Sequence, residues 1–269
     1  MVSSRSGRAV FASYNIHKCV GIDRKFDPDR ITRVIAEIGA DVLALQEADR
    51  RFGDRAGLLD LDAVDRLAGL VPVPVRNGHG GHGWHGNVIL VREAAVRDLH
   101  QIRLPGFEPR GALAVDLDLV AGPVRVVAAH LGLFRQSRLL QVEALLAHAG
   151  ESTDRPVVLM GDMNEWRLRR RSALSGFSPV FGPLGHGVPS FPAYFPVLAL
   201  DRVLVRPHAL MEALEAHESP LSRLASDHLP VRATVRLDEA SAPIRTVRPA
   251  RPRRRLFDRL GYREERAAP

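Results

Sequence analysis

Short apolar runs broken by polar residues recur along the chain, and their spacing sorts them into strands and helices. Ala9 to Asn15, Asp41 to Gln46, Val88 to Arg92, Ala112 to Leu119, Val124 to His130, Val157 to Gly161, Arg202 to Val205 and Val231 to Arg236 are strand candidates, brief, apolar and bounded by turn signals. Between the first two, Ile31, Val34, Ile35 and Ile38 recur at helical spacing. Asp27 supplies an N-cap, Pro28 a first-turn proline and Gly39 a stop, so this pattern predicts a helix over Asp27–Ile38. Further helices are expected over Asp60–Leu70 and Gln136–Ala149, and Ala121-Gly122-Pro123 reads as a hairpin link. Mixed helices and many short strands predict an α/β (α+β) sandwich better than a doubly wound parallel sheet.

Several strand candidates end on a residue that can do chemistry. Glu47 follows Val42-Leu43-Ala44-Leu45-Gln46, His130 closes Val124 to Ala129, and Asp162 follows Val157 to Gly161, with Asn164 two residues on. Asn15 ends the first run, Asp201 precedes Arg202-Val203, and Asp227-His228 stands in Ser226-Asp227-His228-Leu229-Pro230. Polar groups at strand ends gather in one cleft. Asp162 and Asn164, two apart, face the same way in an extended chain. A hard divalent cation favours such oxygen ligands, and a His near its ordinary pKa suits a general base whose tautomer a carboxylate fixes.

The ordered series Asn15, Gln46-Glu47, His130-Leu131, Gly161-Asp162-Met163-Asn164, Asp201 and Ser226-Asp227-His228-Leu229-Pro230 resembles the endonuclease/exonuclease/phosphatase (DNase I-like) superfamily, from about Ala9 to Val235. The resemblance implies two packed sheets flanked by helices in four layers, with the site at one mouth. It implies Glu47 as main ligand of Mg²⁺ (or Mn²⁺), with Asn15 and Asp227 close to the ion. It assigns His228 as base, Asp201 as its partner, and Asp162 and Asn164 to orienting water and phosphoryl oxygens. His130 would donate to phosphate or the leaving oxygen. Arg110 would contact phosphate, where a guanidinium fork fits, and Asn87 would stand beside the site. The implied activity is metal-dependent hydrolysis of a phosphodiester, in nucleic acid or a phospholipid headgroup; the alternative is a non-catalytic phosphate-binding module that keeps the fold. His17 and Val197-Leu198-Ala199-Leu200 depart from the pattern of abasic-site endonucleases, and His85 stands where DNase-like members carry a Glu.

Composition adds bounds. A chain of 269 residues can bury a full core in one domain, expected over residues 1–240. The formal charge of +7 is concentrated: eight arginines and one aspartate lie between Arg245 and Arg263, leaving the rest near neutral. Residues 241–269 therefore read as a disordered basic tail suited to an anionic polymer or bilayer. The single cysteine, Cys19, rules out an intramolecular disulfide framework and reads as structural. No run approaches the roughly 18 apolar residues of a spanning helix, and no signal-peptide pattern is seen, so the expectation is a soluble, cytoplasmic monomer. Asn77 to Gly86 reads as a flexible loop whose His79, His82 and His85 are more often solvent-facing than metal-binding.

Overall fold

The computed structural model describes residues 7–50, 55–76, 81–150, 155–167 and 171–238. The expected tail, His79 and much of the glycine-rich loop lie outside them. Among the described residues, strands and α-helices follow in the order β1 (Arg8–Asn15), α1 (Pro28–Ile38), β2 (Val42–Gln46), α2 (Leu61–Ala68), β3 (Val71–Pro72), β4 (Val88–Val91), β5 (Ala94–Leu104), β6 (Arg110–Leu119), β7 (Gly122–His130), α3 (Arg135–Gly150), β8 (Val157–Asp162), α4 (Ser178–Phe181), β9 (Asp201–Arg206), β10 (Met211–Ala216), α5 (Ser222–Ala225) and β11 (Val231–Arg236).

Two sheets form, one ordered β10-β11-β1-β2-β4-β3 and the other β5-β6-β7-β8-β9. Alternation along each strand divides the core. Phe11, Ala44, Ile89, Val126, Val158, Met160 and Val203 fill the space between the sheets. Leu43, Leu45 and Leu90 point the other way and pack on Ile31, Ile35 and Val64 of α1 and α2. Val127, Leu159 and Leu204 face Val142 and Leu145 of α3. Helix, sheet, sheet, helix is the α/β sandwich the pattern predicts, in the four layers the resemblance implies. Strands covered on both faces read as continuous apolar runs, as β2 does.

Within this frame, β1–α1–β2 and β7–α3–β8 are parallel strand–helix–strand units. The Asp27 carboxylate accepts from Arg30 N at 2.8 Å to cap α1, and Gly39 closes it at φ 64°. Three strands were not expected. β5 and β10 are edge strands that each carry a register shift, between Val96 and Asp98 and between Met211 and Ala213, so the apolar alternation changes phase part-way. β3 spans only two residues. Among the described residues, no helix is long and apolar enough to cross a membrane.

Candidate active site

The strand-end residues converge because the register demands it. His130 of β7 pairs with Asp162 of β8, and Asp162 with Asp201 of β9, which lays three polar side chains in one row across the second sheet. In the first sheet Asn15 pairs with Gln46, and the chain turns directly after it. Asn15 Nδ2 donates to Asp162 Oδ2 at 3.0 Å, which ties the two sheets together at this end. Gly161 is needed here, since a Cβ at that position would collide with the Ala129 carbonyl of the neighbouring strand.

Asp162 is the hub. Its Oδ2 also lies 3.4 Å from His130 Nε2 and 3.8 Å from His228 Nε2, while its Oδ1 accepts from Asn164 N at 2.9 Å. His228 Nδ1–H donates to Asp201 Oδ2 at 2.8 Å, with both groups buried. That carboxylate also accepts from Ser190 Oγ, and the Phe191 ring lies 4.9 Å from the imidazole. Arg110 Nη1 donates to His130 Nδ1 at 3.0 Å. Guanidinium only donates, so Nδ1 is the acceptor and the His130 proton sits on Nε2, toward Asp162.

Burial and charge push the two histidines apart. Burial drives His130 down to about 3, and Arg110 and His228 add to this against Asp162, so the ring is neutral. Burial also disfavours charge on His228, but Asp201, Asp162 and Asp227 outweigh it and raise the ring to about 10. Such a split between neighbours is the usual mark of divided acid–base roles.

The first sheet contributes a more open, charged side. Glu47 adopts φ 55°, and His17, Lys18 and Cys19 form a turn with φ 43°, 54° and 61°. These backbone conformations are costly for residues with a Cβ and persist where packing enforces them. The turn brings the Lys18 ammonium into an ion pair with Glu47 and His17 Nδ1 to 3.7 Å from Asp227. Burial pushes the Glu47 carboxyl up, but Lys18, His17 and Arg110 outweigh it and hold it below its ordinary value. The residues expected near a cation are oxygen donors of the kind a hard cation takes, the Glu47 and Asp227 carboxylates and Asn15, whose side-chain oxygen accepts from His17 N at 3.0 Å. Among the described residues no group of three or more His, Cys, Asp or Glu side chains is arranged to hold a metal ion by itself, so a cation here would take much of its shell from water and phosphate.

Other expected participants are otherwise engaged. Asn87 is fully buried and its amide donates to the Trp84 and Gly111 carbonyls, which leaves it no donor for a substrate. Asn164 Nδ2 donates to the Leu131 carbonyl, fixing the loop after His130. His82 meets the Leu59 carbonyl and His85 the Pro109 carbonyl, so they share no centre. Cys19 is buried, which pushes its thiol up to about 12 and leaves it inert.

Two supporting residues escaped the sequence reading. Arg138 and Glu165 are both 0% exposed and pair at 3.4 Å. Arg138 Nη1 donates to the Gly132 and Leu133 carbonyls, while Glu165 accepts from Arg167 N and Ala173 N. The pair thus locks the loop after His130 to the loop after Asp162. Its only sequence signals are an Arg on the inner face of α3 and an acid following Asn164.

A match to the endonuclease/exonuclease/phosphatase family covers residues 12–228, which takes in the strand ends from Asn15 to His228. The chain belongs to this family. Hydrolysis of phosphate esters is the chemistry that membership carries. Escherichia coli (strain K12) YbhP is 29% identical over 246 residues, spanning 83% of this chain and 94% of YbhP. The endonuclease/exonuclease/phosphatase from Beutenbergia cavernae superposes with a TM-score of 0.64 at 25% identity, covering 86% of this chain and 72% of that one. Danio rerio TDP2 in complex with a single-strand DNA product shares the fold, with a TM-score of 0.59, 17% identity and coverage of 85% and 99%.

Proposed function

We propose that this member hydrolyses a phosphodiester with a divalent cation, Mg²⁺ or Mn²⁺, held by Glu47 with Asp227 and Asn15. A cation bound there would offset the charge on the phosphate and on the departing oxygen. The chain's own residues do the rest. Arg110 and the neutral His130 Nε2–H face the non-bridging oxygens as donors, and Asp162 orients the attacking water. His228, which its carboxylate neighbours raise to about 10, must first give up its proton; in that neutral form it accepts the water proton as oxygen bonds to phosphorus. Asp201 then steadies the imidazolium. One phosphorus–oxygen bond to an alkoxide breaks, and that oxygen takes up a proton, giving a phosphomonoester and an alcohol.

The observation that supports this reading is the His228 Nδ1–Asp201 Oδ2 contact at 2.8 Å, which leaves His228 Nε2 3.8 Å from Asp162 Oδ2, beside the neutral His130. The alternative, a phosphate-binding module without turnover, is disfavoured by the intact His228–Asp201 pair at 2.8 Å. Incubating the full chain with plasmid DNA, RNA and phospholipid vesicles, each with Mg²⁺ or EDTA, tests both. Cleavage only in a Mg²⁺ arm is expected; binding without cleavage in every arm would leave the module.

A further inference from the structure

The site opens through a rim that a soluble substrate does not require. Phe107, Phe134, Trp166, Tyr194, Phe195 and Val197 are all between 50% and 77% exposed. They come from four separate loops, and each loop lies at the same end of the sandwich. Phe107 precedes Arg110, Phe134 follows His130, Trp166 follows Asn164, and Tyr194 to Val197 precede Asp201. At the opposite end, the described loops and strand ends expose only Val71 and Val120 among large apolar side chains. Scattered exposed apolar residues need no explanation, but a ring of them around one mouth does.

The chemistry of the rim distinguishes its partner. Phe107 and Phe134 meet edge to face, 82° apart, which offers no parallel slot for a base. The Arg167 guanidinium already lies 4.7 Å from the Trp166 ring centroid. Outside its C-terminal arginine cluster the chain is near neutral, unlike a groove built to follow a polyanion. Phe, Trp, Tyr and Val with arginines alongside are instead what the boundary between acyl chains and phosphate headgroups accepts: apolar bodies enter, and arginines such as the exposed Arg135 would face the phosphates.

We propose that this rim docks the mouth onto a phospholipid bilayer, and that the ester hydrolysed is the phosphodiester of a lipid headgroup. The substrate half of this rests on the reading of the site as a phosphodiester hydrolase; the docking half does not.

The test uses the full chain and a Phe134→Ser/Phe195→Ser variant, with thermal melts to verify folding. Sedimentation with phosphatidylcholine vesicles at high salt minimises any contribution of the basic C-terminal segment. Headgroup release, bis-p-nitrophenyl phosphate turnover and cleavage of a single-stranded oligonucleotide are read in parallel. Wild type should sediment, and the variant should lose about tenfold in vesicle affinity, well short of full burial of two phenyl rings. Headgroup release should fall with it, while bis-p-nitrophenyl phosphate turnover stays unchanged. Equal sedimentation of the two proteins, or absence of wild type from the vesicle pellet, would overturn the docking; a variant defect confined to the oligonucleotide would make the rim a nucleobase platform. Vesicle binding by Glu47→Gln with no substrate cleaved by wild type would sink the hydrolase reading and leave docking intact.

Discussion

The two strand–helix–strand units end in the same way and are finished differently. In β1–α1–β2 the polar residues sit on strained backbone and are held by charge, with Lys18 against Glu47 and His17 near Asp227. In β7–α3–β8, His130 and Asp162 sit on regular strand, almost wholly buried, with Asn164 just beyond at φ 47°, and they are held by hydrogen bonds and by the Arg138–Glu165 pair beneath. One topology thus yields an open, charged half and a closed half that keeps His130 neutral. The difference arises after the strands end: a three-residue turn in one unit, a braced loop in the other.

Breaking the brace gives the largest expected effect. Arg138→Ala takes the buried cation from Glu165 and leaves it only the partly exposed Arg167 at 3.6 Å, and should cost about 3 kcal/mol in urea unfolding. Arg138→Met/Glu165→Met should cost much less, because neither charge is stranded. If the single and double variants are equally destabilised, the loss is packing rather than pairing.

Next comes the proton-handling pair. His228→Ala and Asp201→Ala should each slow turnover by about 10²-fold or more, and the double variant should be little worse than either single, since paired residues act as a unit. A double loss equal to the product of the singles would mean that they work independently.

The halves should also differ in acid. His130 has its folded pKa lowered from 6.5 to about 3. Below pH 6.5 the unfolded chain takes up a proton that the folded ring refuses, so His130 contributes stability that declines as pH falls from about 6.5 toward 3. His130→Asn should therefore flatten the acid side of a stability–pH curve. An unchanged curve would show that the ring is free to charge in place.

The smallest effect belongs to the open half. Asp27→Ala removes the cap of α1 and should cost about 1 kcal/mol, with turnover unaltered; a change in turnover would couple the cap to the Glu47 turn.

How far these features could be read from sequence depended on range. Asn15, Glu47, His130 and Asp162 were legible because each ends an apolar run, and strand pairing then brings them together. α1 was legible from Asp27, Pro28 and Gly39. β5 and β10 were not, because an edge strand with a register shift loses the alternation that marks it. The Arg138–Glu165 pair was hidden because two charges far apart in sequence give no sign that both are buried. Asn87 was misleading for a related reason: its place beside the site is local, but the carbonyls that occupy its amide are set by tertiary contact. The turn that brings Lys18 to Glu47 depends on three positive φ angles that no glycine announces.

The central claim is that the open half holds a divalent cation through Glu47 for phosphodiester hydrolysis. Titrating Mg²⁺ into wild type and Glu47→Gln while following bis-p-nitrophenyl phosphate hydrolysis tests it most directly. The substitution should raise the Mg²⁺ requirement and cut turnover sharply while the thermal melt stays near wild type. Matching titration curves and rates for the two proteins would contradict it.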